Sequence, residues 1–373
     1  MRRFELGMNI NYAKDWTVVD AVREFYQNAF DEERENPENK MDFSYDESTQ
    51  IITVSNKKSK LTPKTLLLGE SSKRGKSGLI GKHGEGYKVA TVVLMRNGIT
   101  VKIYNNENKE VWTSNIVRSR RYDAEIVVYD IEKKIFNKDS NLVIELIGIT
   151  PEMYKDIVKS NLHLQNNIGE TKEGGNGRVL LDPKYSGCIF VEGLYVCHKD
   201  VIKWGYDFSA DVVSLDRDRG LVDTLNIKFV IAKLVMSLND NEFVAKNIDN
   251  PDIQYIHVYI YGSNGFDLSD RVYNDFTEKY GEDAIPVDSE GEYNLRASMG
   301  MKPVMVSSNI KGIINYNDRV YEPILTPKTS IDEKFEKWLK ESNEYLPDRL
   351  YLDIIKLWKE KGEENNDRNN TSG

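Results

Sequence analysis

Glu24-Phe-Tyr-Gln-Asn28-Ala-Phe-Asp31 is the stretch on which the reading of this chain turns. Around it Val18, Ala21, Val22, Phe25 and Ala29 recur at helical spacing and make one apolar stripe, with Asp15 or Thr17 placed to cap the start. Glu24, Asn28 and Asp31 stand at i, i+4 and i+7, so a helix puts them on one neighbouring face. A Glu-x3-Asn spacing by itself describes a solvated helix face as readily as a functional one. The rest of the first ninety residues decides between them.

A polar, glycine-rich run follows, Leu68-Gly-Glu-Ser-Ser72-Lys73-Arg-Gly-Lys-Ser-Gly78, too irregular for helix or strand. It leads into Gly81-Lys82-His-Gly84-Glu-Gly86, after which Tyr87-Lys88-Val-Ala-Thr-Val-Val-Leu94 reads as a buried helix. Glycines ahead of a helix N-terminus let backbone N–H groups approach phosphate oxygens, and the helix end favours negative charge. Lys73, Arg74, Lys76, Lys82 and Lys88 add a local positive excess that fits a polyphosphate; a flexible basic surface loop is the bland alternative. The run is not a Walker A loop, because no Gly-Lys-Ser/Thr stands where that motif needs it. Nor does it follow a strand, as a dinucleotide fingerprint would.

In that setting each polar group on the first helix acquires a task. Asn28 offers a neutral oxygen, a hard ligand for Mg²⁺. Glu24, one turn away, can orient and deprotonate a water beside a terminal phosphate. Asp31 reads as an orienting group beside them.

The set resembles the GHKL ATPases: gyrase B-type topoisomerases, heat-shock chaperones of that group, MutL, MORC proteins and histidine kinases. The resemblance covers roughly residues 10–150 and is closest in flavour to the MORC- or chaperone-like branch. Glu24-x3-Asn28-x2-Asp31 looks like the family's N-box. Leu68–Lys73 with Gly81-x2-Gly84-x-Gly86 looks like its ATP lid and second glycine box. The resemblance implies an α+β chain: an N-terminal Bergerat-type α/β sandwich, a mixed sheet with helices on one face, binding ATP and Mg²⁺. Ser72, Lys73, Gly81, Lys82, Gly84, Gly86, Tyr87 and Lys88 would then surround the phosphates, with Asn28 on the metal and Glu24 as general base. The family's first glycine box, Asp-x-Gly-x-Gly, is altered. Asn56 falls at the adenine-reading Asp, and Lys58 and Lys60 fall at the two glycines. Asn56 can still accept from an adenine amino group, but the turn must differ in shape. The family's later Thr falls near Ser140, ahead of the alternating strand Leu142, Ile144, Leu146.

With 373 residues and a net charge of -9, two or three domains are expected, without a broad nucleic-acid-binding surface. The divisions read as 1–165 for the nucleotide domain, 175–245 for a transducer-like α+β domain, and 250–325 for a small α/β unit. C-terminal helices over 330–362 and a disordered tail over 363–373 complete the chain. Glu170–Gly177 reads as a boundary loop, and Gly187–Cys197 as two strands around a Glu-Gly turn. Asp223–Leu238 reads as a buried helix. Residues 255–310 read as strand Tyr255–Ile260, helix Ser269–Tyr280, strand Ala284–Val287, helix Glu292–Met299 and strand Pro303–Ser307. Arg118, Arg120 and Arg121 read as a solvated turn. Arg217 and Arg219 are the basic run that could reach a γ-phosphate, or else a surface salt-bridge cluster.

No apolar run approaches the ~18 residues of a membrane span. Cys188 and Cys197 are too few for a disulfide framework and imply free thiols in the cytoplasm. His83, His163, His198 and His257 make no metal spacing. Two functions fit: an ATPase that drives a conformational or dimerisation switch on an unidentified protein or nucleic-acid partner, or a nucleotide sensor with little turnover. A histidine-kinase-like phosphotransferase lacks its acceptor hairpin, and a topoisomerase lacks a recognisable tyrosine and acidic cluster.

Overall fold

The computed structural model describes residues 2–62, 86–136, 138–213 and 227–317, with Phe335, Trp338, Leu339, Leu350 and Ile354. Its organising element is helix α1 (Val18–Glu35). Thr17, not Asp15, caps it: the Thr17 side chain accepts from the Asp20 backbone N–H while the Asp20 carboxylate accepts from the Thr17 N–H at 2.9 Å. Reciprocal capping of this kind satisfies two orphan donors at once. Ala21, Val22, Phe25 and Ala29 enter the core as the spacing predicts.

Strands β1 (Arg2–Asn9), β2 (Met41–Asp46), β3 (Ile51–Asn56), β4 (Thr100–Asn105), β5 (Glu110–Ser119), β6 (Ala124–Lys133) and β7 (Leu142–Ile147) form the first sheet. Among the described residues it has seven strands in the order β1-β6-β5-β4-β7-β3-β2. Every pairing in it is antiparallel, where a mixed sheet was expected. The reason is β7, which inserts between β3 and β4 and runs against both. β4 alternates as a half-buried strand should, with Val101 and Ile103 in the core and Lys102 and Tyr104 facing outward. Helices α1 and α2 (Gly86–Arg96) share one core with this sheet, around Phe25, Val92, Trp112 and Leu146. Helix α3 (Pro151–Lys159) leads out of it. The arginine turn beyond β5 is solvated as read, with Arg118 paired to Asp123 at the surface.

A second sheet, order β11-β10-β12-β9-β8, comes from β8 (Thr171–Gly174), β9 (Gly177–Leu180), β10 (Cys188–Val191), β11 (Leu194–His198) and β12 (Gly205–Phe208). Glu170–Gly177, expected as a boundary loop, is instead the β8 strand with its turn into β9. Its polar residues hide the pairing, which is stabilised from outside by the Arg178–Asp207 ion pair at 2.9 Å to β12. The Glu192-Gly193 turn between β10 and β11 is as read, with both residues at φ near +50° and +77°. Cys188 and Cys197 are free thiols on these strands, their pKa values pushed up chiefly by burial.

Helices α4 (Ile227–Ser237), α5 (Asn241–Lys246) and α6 (Gly262–Tyr280), strand β13 (Ala284–Val287), helix α7 (Glu290–Ser298), strand β14 (Lys302–Met305) and helix α8 (Ser308–Ile314) follow. The expected strand Tyr255–Ile260 is a 3₁₀ turn over Ile256–Val258, held by Asn309 Oδ1, which accepts from the His257 N–H at 3.1 Å. Helix α6 starts seven residues before the expected Ser269 and stops at Gly281, φ +96°. β13 and β14 pair in parallel. The chain is therefore α+β, with residues 1–317 one compact unit and 318–373 another. In the second unit the described residues are helical, and Leu339 is buried. The rest of the expected C-terminal helices and the tail lie outside the described residues, and no helix among the described residues is long and apolar enough to cross a membrane.

One pair fastens the first sheet's edge. Arg3 and Asp130 are register partners on β1 and β6 and bond at 2.7 and 2.9 Å, with Asn115 donating to the same carboxylate. These bonds hold the Asp130 carboxyl below its usual 3.8. The stabilisation is present above that value and is lost as pH falls through the lower folded one. Asp130→Asn should lower the melting temperature at neutral pH and flatten its fall below about pH 4, measured by thermal melts across that range.

Candidate functional site

Glu24, Asn28 and Asp31 fall on one side of α1, as their spacing requires. Glu24 and Asp31 are buried, at 2% and 0% exposure, and Asn28 is half-buried. The Asn28 Nδ2 donates to the Glu24 backbone carbonyl at 2.8 Å. That commits the amide nitrogen to the helix; the oxygen is the atom a magnesium ligand would use. Helix α2 begins at Gly86, and a Cβ added there would collide with Glu24 Oε2. The carboxylate lies against a bare Cα at a helix N-terminus, where the macrodipole favours negative charge. Two motifs distant in sequence thus meet in space.

Past Gly86, Lys88 is fully buried, an environment a lysine occupies only with partners. Tyr87 packs edge-on to Phe25 with ring centroids 5.1 Å apart. Burial, with Glu32, Tyr129 and Glu24 nearby, pushes its phenol well above the ordinary value. Its backbone carbonyl accepts from Thr91 Oγ1 at 2.6 Å.

The turn after β3 takes a braced shape. Asn56 is buried, and its Nδ2 donates to the carbonyls of Ala29 at 3.0 Å and Asn39 at 3.3 Å. Asn39 in turn accepts from the Lys58 N–H at 2.6 Å and donates to Ser59 Oγ at 2.7 Å. Lys58 pairs with Glu38, and Lys60 with Glu107 at 2.7 Å, so both lysines are spent on surface acids. Ser140 is half-buried just ahead of β7, whose first residue Leu142 is register partner to Asn56 and to Asn105. Asn56 and Ser140 therefore share one end of the sheet.

Two features of α1 were not read from the sequence. Gln27, three residues after Glu24 and four before Asp31, is fully buried between that face and the one carrying Arg23 and Arg34. Only its spacing from Glu24 could have flagged it. The outer side carries Arg23, Tyr26, Phe30 and Arg34 against the second sheet. Arg23 donates to the Tyr195 carbonyl at 3.1 Å, and Arg34 pairs with Glu192 at 3.1 Å. The rings of Tyr26 and Phe30 lie 6.1 and 4.9 Å from His163, which bonds to the Glu192 carbonyl at 2.9 Å. Burial pushes the Tyr26 phenol up to about 12. This stripe is a contact between the first helix and the β10–β11 hairpin.

Ser72, Lys73, Gly81, Lys82 and Gly84 lie outside the described residues, as do Arg217 and Arg219. No group of three or more His, Cys, Asp or Glu side chains among the described residues could hold a metal. A magnesium ion would rely on Asn28 and on oxygens of its own ligand. The site fits a nucleotide in kind, with a bare glycine at a helix start, a carboxylate against it and an amide one turn on.

No protein-family model matches the chain, and no curated protein matches it. Among solved structures it is similar to the ATPase and transducer domains of DNA topoisomerase II from Balamuthia mandrillaris. The identity is 14% and the TM-score 0.29, over 52% of this chain and 66% of that one. The match spans just under two thirds of that protein's chain, and the likeness is distant.

The Glu24–Gly86 contact can be tested without any ligand. Gly86→Ala should cost about 1–2 kcal/mol of stability, because a methyl group must displace the buried carboxylate. In a Glu24→Ala background the same change should be neutral or stabilising by up to about 1 kcal/mol, alanine being the better helix former. Denaturant melts of the four proteins complete the cycle.

Proposed function

We propose that this chain is a GHKL-type, magnesium-dependent ATPase that works as a conformational switch. The observation that carries this reading is the contact of Glu24 with Gly86, which joins the N-box helix to the end of the glycine box. ATP would bind between α1, the start of α2 and the sheet end bearing Asn56 and Ser140. Lys88 and the lid residues Ser72, Lys73, Gly81, Lys82 and Gly84 would surround the phosphates, and Tyr87 would pack beside them. Magnesium, held by Asn28 and phosphate oxygens, would neutralise charge on the transferring group. Asp31 would keep the helix face in order, and Glu24 would take a proton from the attacking water. Closure of the lid over 69–86 would exclude water and complete the positioning on which phosphoryl transfer depends.

The proposed divisions at 1–165, 175–245 and 250–325 give that switch its moving parts. The outer side of α1 touches the β10–β11 hairpin through Arg23, Tyr26, Phe30 and Arg34. A shift of the nucleotide helix would therefore be felt in the second sheet. The output would be a change of dimerisation or of attitude toward a macromolecular partner, protein or nucleic acid. A sensor with little turnover is the second reading. It is favoured by the braced turn at Asn56–Ser59, where lysines replace the family's glycines and the Asn56 amide nitrogen is already committed.

Phosphate release and nucleotide-induced melting shifts separate the two. In the ATPase reading the wild-type chain turns over, and Glu24→Ala keeps the ATP-induced melting shift while losing about 10²-fold or more in kcat. A melting shift without turnover in the wild type assigns the sensor. With neither, the nucleotide reading fails.

A further inference from the structure

Gln27 has no exposure to solvent, yet neither Nε2 nor Oε1 of its side chain has a hydrogen-bond partner among the described residues. Each unsatisfied buried polar group costs about 1–3 kcal/mol, so an amide left with both ends unmet is an expensive choice for an ordinary packing position. Leucine or methionine would fill the same volume without that cost. Native proteins keep few such groups, and each asks for an explanation.

Its neighbours supply one. On α1, Glu24, Gln27 and Asp31 succeed one another at spacings of three and four, so the amide stands beside two buried carboxylates, at the border between their face and the one that carries Arg23 and Arg34. Asn28, the proposed magnesium ligand, lies on the other flank of Glu24. A carboxamide in this place offers one acceptor and two donors beside the group that would receive the water's proton.

We propose that Gln27 positions the attacking water: Oε1 accepts a hydrogen bond from the water that Glu24 deprotonates, and Nε2 donates to an oxygen of the terminal phosphate. This rests on the ATPase reading above. In the step, the water oxygen forms a bond to the γ-phosphorus. The bond from that phosphorus to the β–γ bridging oxygen breaks, ADP leaves with the electron pair, and the water proton passes to Glu24. Gln27 makes and breaks no covalent bond. Its two hydrogen bonds fix the angle of approach, and they satisfy an amide that is otherwise unmet.

Gln27→Met in the full chain is the test, because it keeps the volume and removes the hydrogen bonds. The nucleotide-free melting temperature should stay level or rise, since replacing an unsatisfied amide with an apolar group of similar shape is neutral or stabilising. The KM for ATP should stay within about threefold, while kcat falls by about 10²-fold, the scale of loss for a mispositioned reactant. An unchanged kcat in Gln27→Met, beside a wild type that turns over and a Glu24→Ala that does not, overturns this proposal alone. A drop in the nucleotide-free melting temperature with kcat and KM moving together also overturns it, by making the amide structural. A wild-type chain that neither binds nor hydrolyses ATP overturns the ATPase reading and this proposal with it.

Discussion

A carboxylate held almost out of water against a bare Cα is the contact around which the first sheet and its helices are arranged. Burying a charge is costly unless other groups compensate, and Glu24 is placed where a helix end supplies partial positive charge. That placement brings α1 and α2 together at close range, where a side chain at position 86 would have to displace the Glu24 carboxylate. The sheet beneath the two helices covers their apolar sides. Phe25 and Val92 then share a core with Trp112 and Leu146. The Glu24–Gly86 contact and the packing of this core are parts of one arrangement.

The sequence was informative where structure is local. The α1 stripe announces itself by period, and a capping box with Asp20 decides between two plausible caps. Leu142, Ile144 and Leu146 alternate because they line the face of β7 that enters the core. Gly281 ends α6 because its φ of +96° suits glycine. Failure came where stability arrives from far along the chain. Thr171–Gly174 carries little hydrophobicity of its own and is a strand because β9 pairs with it, itself tied by Arg178 to Asp207. Ile256, Val258 and Ile260 alternate like a strand, yet among the described residues no neighbour offers them a ladder, and Asn309 holds the backbone in a tight turn instead.

The site divides along the same line. Glu24, Asn28 and Asp31 share a face as their spacing requires, but nothing in the letters says that Gly86 touches Glu24. Asn56, Lys58 and Lys60 do not by themselves give the form of the turn after β3. That form depends on Asn39, a residue with no motif to mark it, whose side chain and carbonyl hold Lys58, Ser59 and Asn56 together. Gln27 carries no mark in the sequence, because an amide on a helix is ordinary until its burial and its missing partners are known. The stripe Arg23, Tyr26, Phe30 and Arg34 has helical spacing, but its counterpart is a hairpin more than a hundred residues later.

The consequence reaches beyond mechanism, to how such a chain can change over time. Around its circumference α1 has an apolar side, a polar buried side and an aromatic–basic side, each engaged with a different part of the molecule. Few of its positions are left to vary without loss somewhere. Drift must concentrate in the turns, such as Arg120–Asp123, and in the outward face of the sheet.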